Sequence, residues 1–310
     1  MKKLMALVIG LFLPGACLAQ GYNLGPIMFL GDSITTGADG SNSGYRGYFI
    51  QDFNPPAGNH GVFPAPTGNQ GILTPIGTSQ QMASPYLESL DTPGYTNPYA
   101  NNEGHPGATI EDLYDTNSSA DDNEIATVSF DQATSTPGYT PQVPYSVTNP
   151  YQAPKYVYLM IGSNNAMGTP TQIATALSDE LSLISYIKSV DSNLSRIFVE
   201  PPPSYPSQSE GNAPNGYDTF SSDLGASLLL APYDTYTTFV NSRPELNSSA
   251  DFAIENGDQQ YLHPSDAGYQ IIANDLYNAT IAQVPEPSQL GLLALAATML
   301  LVRARRTSAA

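Results

Sequence analysis

Ile27-Met28-Phe29-Leu30-Gly31-Asp32-Ser33 is an apolar run that halts at a glycine and delivers a serine two residues later. The run shows no polar alternation, which is the pattern of a parallel strand covered on both faces. Two further segments read the same way: Tyr156 to Ile161, and Ile197 to Val199 with Arg196 leading in and Glu200 following. Helical periodicity lies between and after them. Thr171 to Val190 carries Ile173, Leu177, Leu181, Ile184 and Ile187 at spacings of three and four. Pro264 to Ile281 carries Tyr269, Ile272, Leu276 and then Ala279 or Thr280, and Pro264 suits a first helical turn. Strands alternating with helices predict an α/β protein, a three-layer α/β/α sandwich around a mostly parallel central sheet.

Two stretches stand outside that pattern. Residues 54–99 and 116–154 are rich in Pro, Gly, Asn, Ser, Thr and Tyr and are too long for ordinary connections. They read as surface insertions that rim a cleft. Their tyrosines suit pinning of the loops, and each also offers a flat apolar face and a polar tip on which a sugar ring can stack.

Both ends read as processing signals. Lys2 and Lys3 precede the apolar stretch Leu4 to Leu13 and then Ala16-Cys17-Leu18-Ala19, which predicts a secretory signal peptide over residues 1–19. At the other end, Val284-Pro285-Glu286-Pro287 is followed by an apolar run from Leu290 to Val302 and by Arg303-Ala304-Arg305-Arg306. Counted from Ser288, the run approaches the ~20 residues of a membrane-spanning helix, and the basic cluster behind it favours the cytoplasmic side. This three-part order fits a plain membrane anchor and also resembles the PEP-CTERM sorting signal of Gram-negative bacteria. The resemblance implies export to the cell surface or beyond, recognition of residues 285–310 by an exosortase, and transient anchoring in the inner membrane.

The domain between these signals is residues 20–284. It keeps five basic residues (Arg46, Lys155, Lys188, Arg196 and Arg243) against 27 acids, a net charge of −22. Such a surface repels nucleic acid and anionic lipid headgroups, so a neutral substrate is expected. Cys17 is the sole cysteine and leaves with the signal peptide, which excludes disulfides and thiol chemistry from the mature chain. His60, His105 and His263 show no ligand spacing, so neither a metal nor an organic cofactor is expected.

Four short motifs fall at predicted strand or helix ends. Gly31-Asp32-Ser33-Ile34-Thr35 follows the first strand, and ligands of open α/β sheets bind beyond the carboxyl ends of strands. Asp32 or Ser33 also suits the cap of a following helix. Glu103-Gly104-His105-Pro106-Gly107-Ala108-Thr109-Ile110 contains a glycine whose backbone N–H can approach a substrate closely, or which merely turns the chain before a helix at Thr109 to Leu113. Gly162-Ser163-Asn164-Asn165 follows the second strand and offers a side-chain amide to a developing oxyanion, or an ordinary turn. Leu262-His263-Pro264-Ser265-Asp266 places a histidine just before a helix, where it can serve as general base to Ser33 or simply pack against the helix start. No Gly-x-Ser-x-Gly elbow is present, which disfavours the ordinary α/β-hydrolase arrangement.

Together, in this order, the four motifs resemble the SGNH/GDSL hydrolase superfamily over Ile27 to Ile281. The segments Gly44-Tyr45-Arg46 and Glu103-Gly104-His105 look most like its acetylxylan-esterase branch. The resemblance implies a flavodoxin-like fold, Ser33 as nucleophile and His263 as base. It also implies an oxyanion hole made by the Ser33 N–H, the Gly107 N–H and the Asn164 side chain. The superfamily places an aspartate three residues before the histidine, where this chain has Gln260. A glutamine carbonyl can fix the tautomer of His263 but cannot stabilise imidazolium as a carboxylate does. Asp258 is the nearest alternative to Gln260 as the acid, facing the same side of an extended segment but ~6–7 Å further back. Asp258 as acid, Gln260 as substitute orienter and neither of them all stay open at this point.

The expectation is a secreted serine esterase that removes acetyl or another short acyl group from a polysaccharide. Two alternatives are a lipase or phospholipase on the same scaffold and, given Gln260, a catalytically weakened polysaccharide-binding protein of a biofilm matrix.

Overall fold

The computed structural model describes residues 24–53, 73–76, 102–114, 154–190, 194–203, 215–253 and 263–283. The signal segment, the tail from Val284, Asp258, Gln260 and most of both insertions lie outside the described residues.

The three apolar runs are the middle of one parallel sheet. β1 is Gly25–Gly31, β4 is Tyr156–Met160 and β5 is Arg196–Val199. Three shorter strands join them: β2 (Leu73–Ile76), β3 (Glu103–Gly104) and β6 (Thr237–Phe239). The order is β2-β1-β4-β5-β6, with β3 also on β1, and every pairing is parallel. β2 pairs with Gly25 to Met28 and β3 with Leu30 and Gly31, so the two strands share one edge of β1 in succession. The stretch 54–99, read from sequence as a surface insertion, therefore contributes a strand to the sheet through Leu73–Ile76. From β1 the chain builds outward to β2 and β3 on one side and to β4, β5 and β6 on the other. The direction of growth reverses between β1 and β4, and ligands of such sheets bind at that switch point.

Period-two side chains sort the strands onto two cores. Met28, Leu30, Val157, Leu159, Ile197 and Val199 face one side, where α3 (Ile110–Tyr114), α4 (Pro170–Val190) and α5 (Asn215–Leu228) cover them. Ile27, Phe29, Tyr156, Tyr158, Met160 and Phe198 face the other, beneath α2 (Tyr45–Phe53) and α6 (Asp266–Gln283). This second core is aromatic. Tyr158 stacks on Phe198 with ring centroids 5.0 Å apart and on Phe29 at 5.2 Å. Such pairs contribute about 0.5–1.5 kcal/mol each beyond area burial. The Tyr158 hydroxyl meets the Thr280 hydroxyl at 3.1 Å, so its polar end is not stranded.

The long helices run close to their expected spans. Pro170 opens α4, with the Thr169 hydroxyl accepting from the Gln172 N–H at 3.3 Å. α6 starts at Asp266 rather than Pro264, because Pro264 is held in an antiparallel bridge to Phe252. Among the described residues, no helix is long and apolar enough to cross a membrane.

Candidate active site

The nucleophile motif is a tight turn pressed against the neighbouring strand. A Cβ on Gly31 would lie 1.8 Å from the Met160 carbonyl oxygen, so only glycine lets β1 and β4 approach this closely at their carboxyl ends. Asp32 then caps α1 (Ser33–Thr36), its Oδ1 accepting from the Ile34 N–H at 3.0 Å. Asp32 is the cap and Ser33 the first helical residue. An N–H in the first turn is not consumed by an intrahelical bond, which leaves the Ser33 N–H suited to a substrate oxygen. Gly37 ends the turn in the left-handed conformation and donates to the Ser33 and Ile34 carbonyls. Beneath it, buried Arg46 of α2 donates from Nη2 to the Thr36 carbonyl at 2.8 Å, and burial lowers this guanidinium to about 10.

Ser33 Oγ lies 2.8 Å from His263 Nε2 across 230 residues of chain. His263 is fixed on the backbone side: its carbonyl accepts from the Ala253 N–H at 2.9 Å, and the Ser265 N–H donates to the Asp251 carbonyl at 2.8 Å. The Ser249–Asp251 turn that ends on the second of these partners is itself closed by a capping box between Ser248 and Asp251. On the far side of the ring, His263 Nδ1 lies 2.6 Å from Asp39 Oδ2. Asp39 follows Ser33 by six residues and adopts φ 60°.

The glycine and asparagine motifs meet beside Ser33. The His105 N–H donates to the Gly31 carbonyl at 2.8 Å, which ties the glycine motif to the end of β1. His105 thus serves through its backbone. Gly107 sits at φ 86° with open space where a Cβ would be. Asn164 Nδ2 donates to the Ala108 carbonyl at 2.9 Å and retains a second hydrogen for a ligand. Asn165 holds the same junction from behind. Its Oδ1 accepts from the Ile110 N–H and its Nδ2 donates to Glu111, both at 2.9 Å. The Tyr217 hydroxyl of α5 donates to the Ser163 and Asn165 carbonyls at 3.0 and 3.2 Å.

Ser33, Gly107, Asn164 and His263, all singled out in the sequence, thus gather at the β1/β4 switch point. Asp258 and Gln260 lie outside the described residues, and among the described residues the carboxylate at His263 Nδ1 is Asp39. The sequence offered no cue for it: Ala38-Asp39-Gly40 reads as a turn, and 224 residues separate Asp39 from His263. Among the described residues, no group of three or more His, Cys, Asp or Glu is placed to hold a metal ion.

A serine hydroxyl on an imidazole, at the switch point of a parallel sheet and flanked by amide donors, defines an SGNH-type serine ester hydrolase. The chain belongs to the GDSL-like Lipase/Acylhydrolase family, whose model matches residues 27–276. No curated relative matches the chain. Among solved structures it is similar to an acetylxylan esterase from Geobacillus stearothermophilus, with 16% identity, 87% of this chain and 98% of that one covered, and a TM-score of 0.45. It is also similar to a family two carbohydrate esterase from Clostridium thermocellum in complex with cellohexaose. That pair shares 14% identity, covers 84% of this chain and 64% of the other, and has a TM-score of 0.43. A putative platelet activating factor from Streptococcus pneumonia is similar at 15% identity, with 89% and 98% covered and a TM-score of 0.43.

Proposed function

We propose that the protein is a secreted esterase that removes acetyl or other short acyl groups from a carbohydrate through an acyl-enzyme. The observation that carries the chemistry is the 2.8 Å approach of Ser33 Oγ to His263 Nε2. Nε2 takes the hydroxyl proton as Oγ attacks the ester carbonyl. The carbonyl π pair moves onto oxygen, where the Ser33 N–H, the Gly107 N–H and Asn164 Nδ2 are the proposed donors. Collapse breaks the bond to the alkoxy oxygen, and the proton on Nε2 goes to the leaving alcohol. Water then repeats the sequence on the acyl-serine and frees the acid.

A neutral carbohydrate fits the acidic mature chain better than an anionic lipid surface does. The two tyrosine-rich insertions supply ring faces suited to sugars. Export is supported by the Lys2-Lys3 start with its apolar stretch. Passage through the inner membrane of a Gram-negative cell, with an exosortase processing the tail, is supported by the order Val284-Pro285-Glu286-Pro287, apolar run, arginine cluster.

Hydrolysis of p-nitrophenyl acetate and acetate release from an acetylated oligosaccharide test the reading, each with wild type and Ser33→Ala. Loss of both activities in the variant is expected. Equal rates in the two proteins would overturn the serine mechanism. A preference for long acyl chains, with no acetate released from the oligosaccharide, would replace the carbohydrate substrate by a lipid.

A further inference from the structure

We propose that Asp39 is the carboxylate that orients His263, so that nucleophile and acid come from one continuous segment behind β1. The inference deepens the esterase reading and rests on it for its kinetic consequences. An exposed ion pair alone holds little: Asp39 is 45% exposed at its side chain and His263 12%, and solvent screens much of their attraction. What fixes Asp39 is the backbone on either side. The Ala38 carbonyl before it accepts from the buried Tyr269 hydroxyl at 2.7 Å. After it, Gly40 lies flat against the same ring, where a Cβ would come within 2.8 Å of two ring carbons. Ser41 is then clamped by Asp266, N–H to Oδ1 at 2.8 Å and Oγ to Oδ2 at 2.5 Å.

Both anchors, Tyr269 and Asp266, belong to the first turns of α6, the helix that His263 leads into. The Asp39 segment is therefore tied to the start of the helix that His263 leads into, and the 2.6 Å contact has backbone anchors beside the attraction of the pair itself. The left-handed backbone of Asp39 is one that aspartate and asparagine tolerate better than other side chains. In the reaction the Nδ1–H stays on the ring and donates to Asp39 Oδ2. The carboxylate keeps its charge beside the imidazolium formed when Nε2 takes the serine proton. Asp39 touches no substrate atom and acts through His263 as a positioning residue.

The full-length protein as wild type, Asp39→Asn, Asp39→Glu and Asp258→Asn tests this by kinetics on p-nitrophenyl acetate and by proton NMR of the low-field imidazole Nδ1–H. Asparagine suits the left-handed position, so Asp39→Asn is expected to keep the wild-type melting temperature. Its kcat is expected to fall about 10²-fold with KM little changed, less than the ~10⁴-fold seen for a buried triad aspartate because solvent shares the work. The low-field resonance should vanish in Asp39→Asn and persist in Asp258→Asn, and Asp39→Glu should recover part of kcat. Wild-type kcat in Asp39→Asn, or transfer of both losses to Asp258→Asn, overturns the proposal. The resonance is read without turnover. A failed esterase reading would instead appear as undiminished hydrolysis by Ser33→Ala, with the resonance still reporting which carboxylate holds His263.

Discussion

Asp32 Oδ2 accepts from the Ser163 N–H at 3.2 Å while Oδ1 holds the Ile34 N–H, so one buried carboxylate spans the nucleophile turn and the asparagine loop. It sets the distance between Ser33 and Asn164 from below. Burial raises its pKa, and the bonds from Ile34 and Ser163 pull it back down. Asp32→Asn replaces one acceptor by an NH2 that faces a backbone N–H. The expected result is a loss of about 1–3 kcal/mol in stability, the usual consequence of an unsatisfied buried group. Urea unfolding measures that loss. A parallel fall in kcat on p-nitrophenyl acetate would show that the span matters to the site as well as to the fold.

The second hydrogen of Asn164 Nδ2 is the proposed oxyanion donor, the first being spent on Ala108. Asn164→Ala should lower kcat about 10²–10³-fold, the range for removal of one such donor. KM should change little, because the bond strengthens only as charge develops on the oxygen. A fall confined to KM would assign Asn164 to ground-state binding instead.

Gly107 combines φ 86° with open space at its Cβ position. Gly107→Ala therefore meets no clash among the described residues, and its cost is backbone strain of about 1–2 kcal/mol. The proposed oxyanion role of the Gly107 N–H depends on that backbone conformation. Thermal unfolding should report the modest strain while kcat/KM falls by a larger factor than the stability change implies. Unchanged kcat/KM would remove Gly107 from the oxyanion hole.

Glu180 of α4 is fully buried, both carboxylate oxygens lack a hydrogen-bond partner among the described residues, and burial raises its pKa well above 4.5. A carboxyl with a raised folded pKa binds its proton more tightly folded than unfolded. Stability from this group is thus complete at acid pH and is lost as pH rises from 4.5 through the raised value, at up to ~1.4 kcal/mol per pH unit. Glu180→Leu should raise the melting temperature at pH 8, have a smaller effect at pH 5, and flatten the pH dependence between them. An equal shift at both pH values would show that Glu180 does not titrate in this range.

The parts of the fold legible in the sequence were those that bury continuous apolar surface. β1, β4, β5, α4 and α6 each carry a run or stripe that water alone would sort. β2 was hidden by Pro75, which argues against a ladder strand and is accommodated here at the sheet edge. β6, Thr-Thr-Phe, has no apolar run to see. α2 buries Tyr45, Arg46 and Gly47 beside Phe49, Ile50 and Phe53, so its inner face does not look apolar. α5 was legible in principle, since Phe220, Leu224 and Leu228 recur every fourth residue and are all buried. Ser33, Gly107, Asn164 and His263 could be found because each ends or precedes an element. Asp39 could not, because its place is set by Tyr269 and Asp266 from the far end of the chain.

β2 and β3 lie one after the other on the same edge of β1. Ile76 and Glu103 are thereby moored to a single central strand, opposite Met28 and Leu30. The pairing of Leu30 with Glu103 and of Gly31 with Gly104 places the glycine motif, and hence Gly107, beside Ser33. Register is therefore what aligns the two motifs: a slip of β3 by one residue along β1 would carry the glycine motif about 3.3 Å from its place beside Ser33.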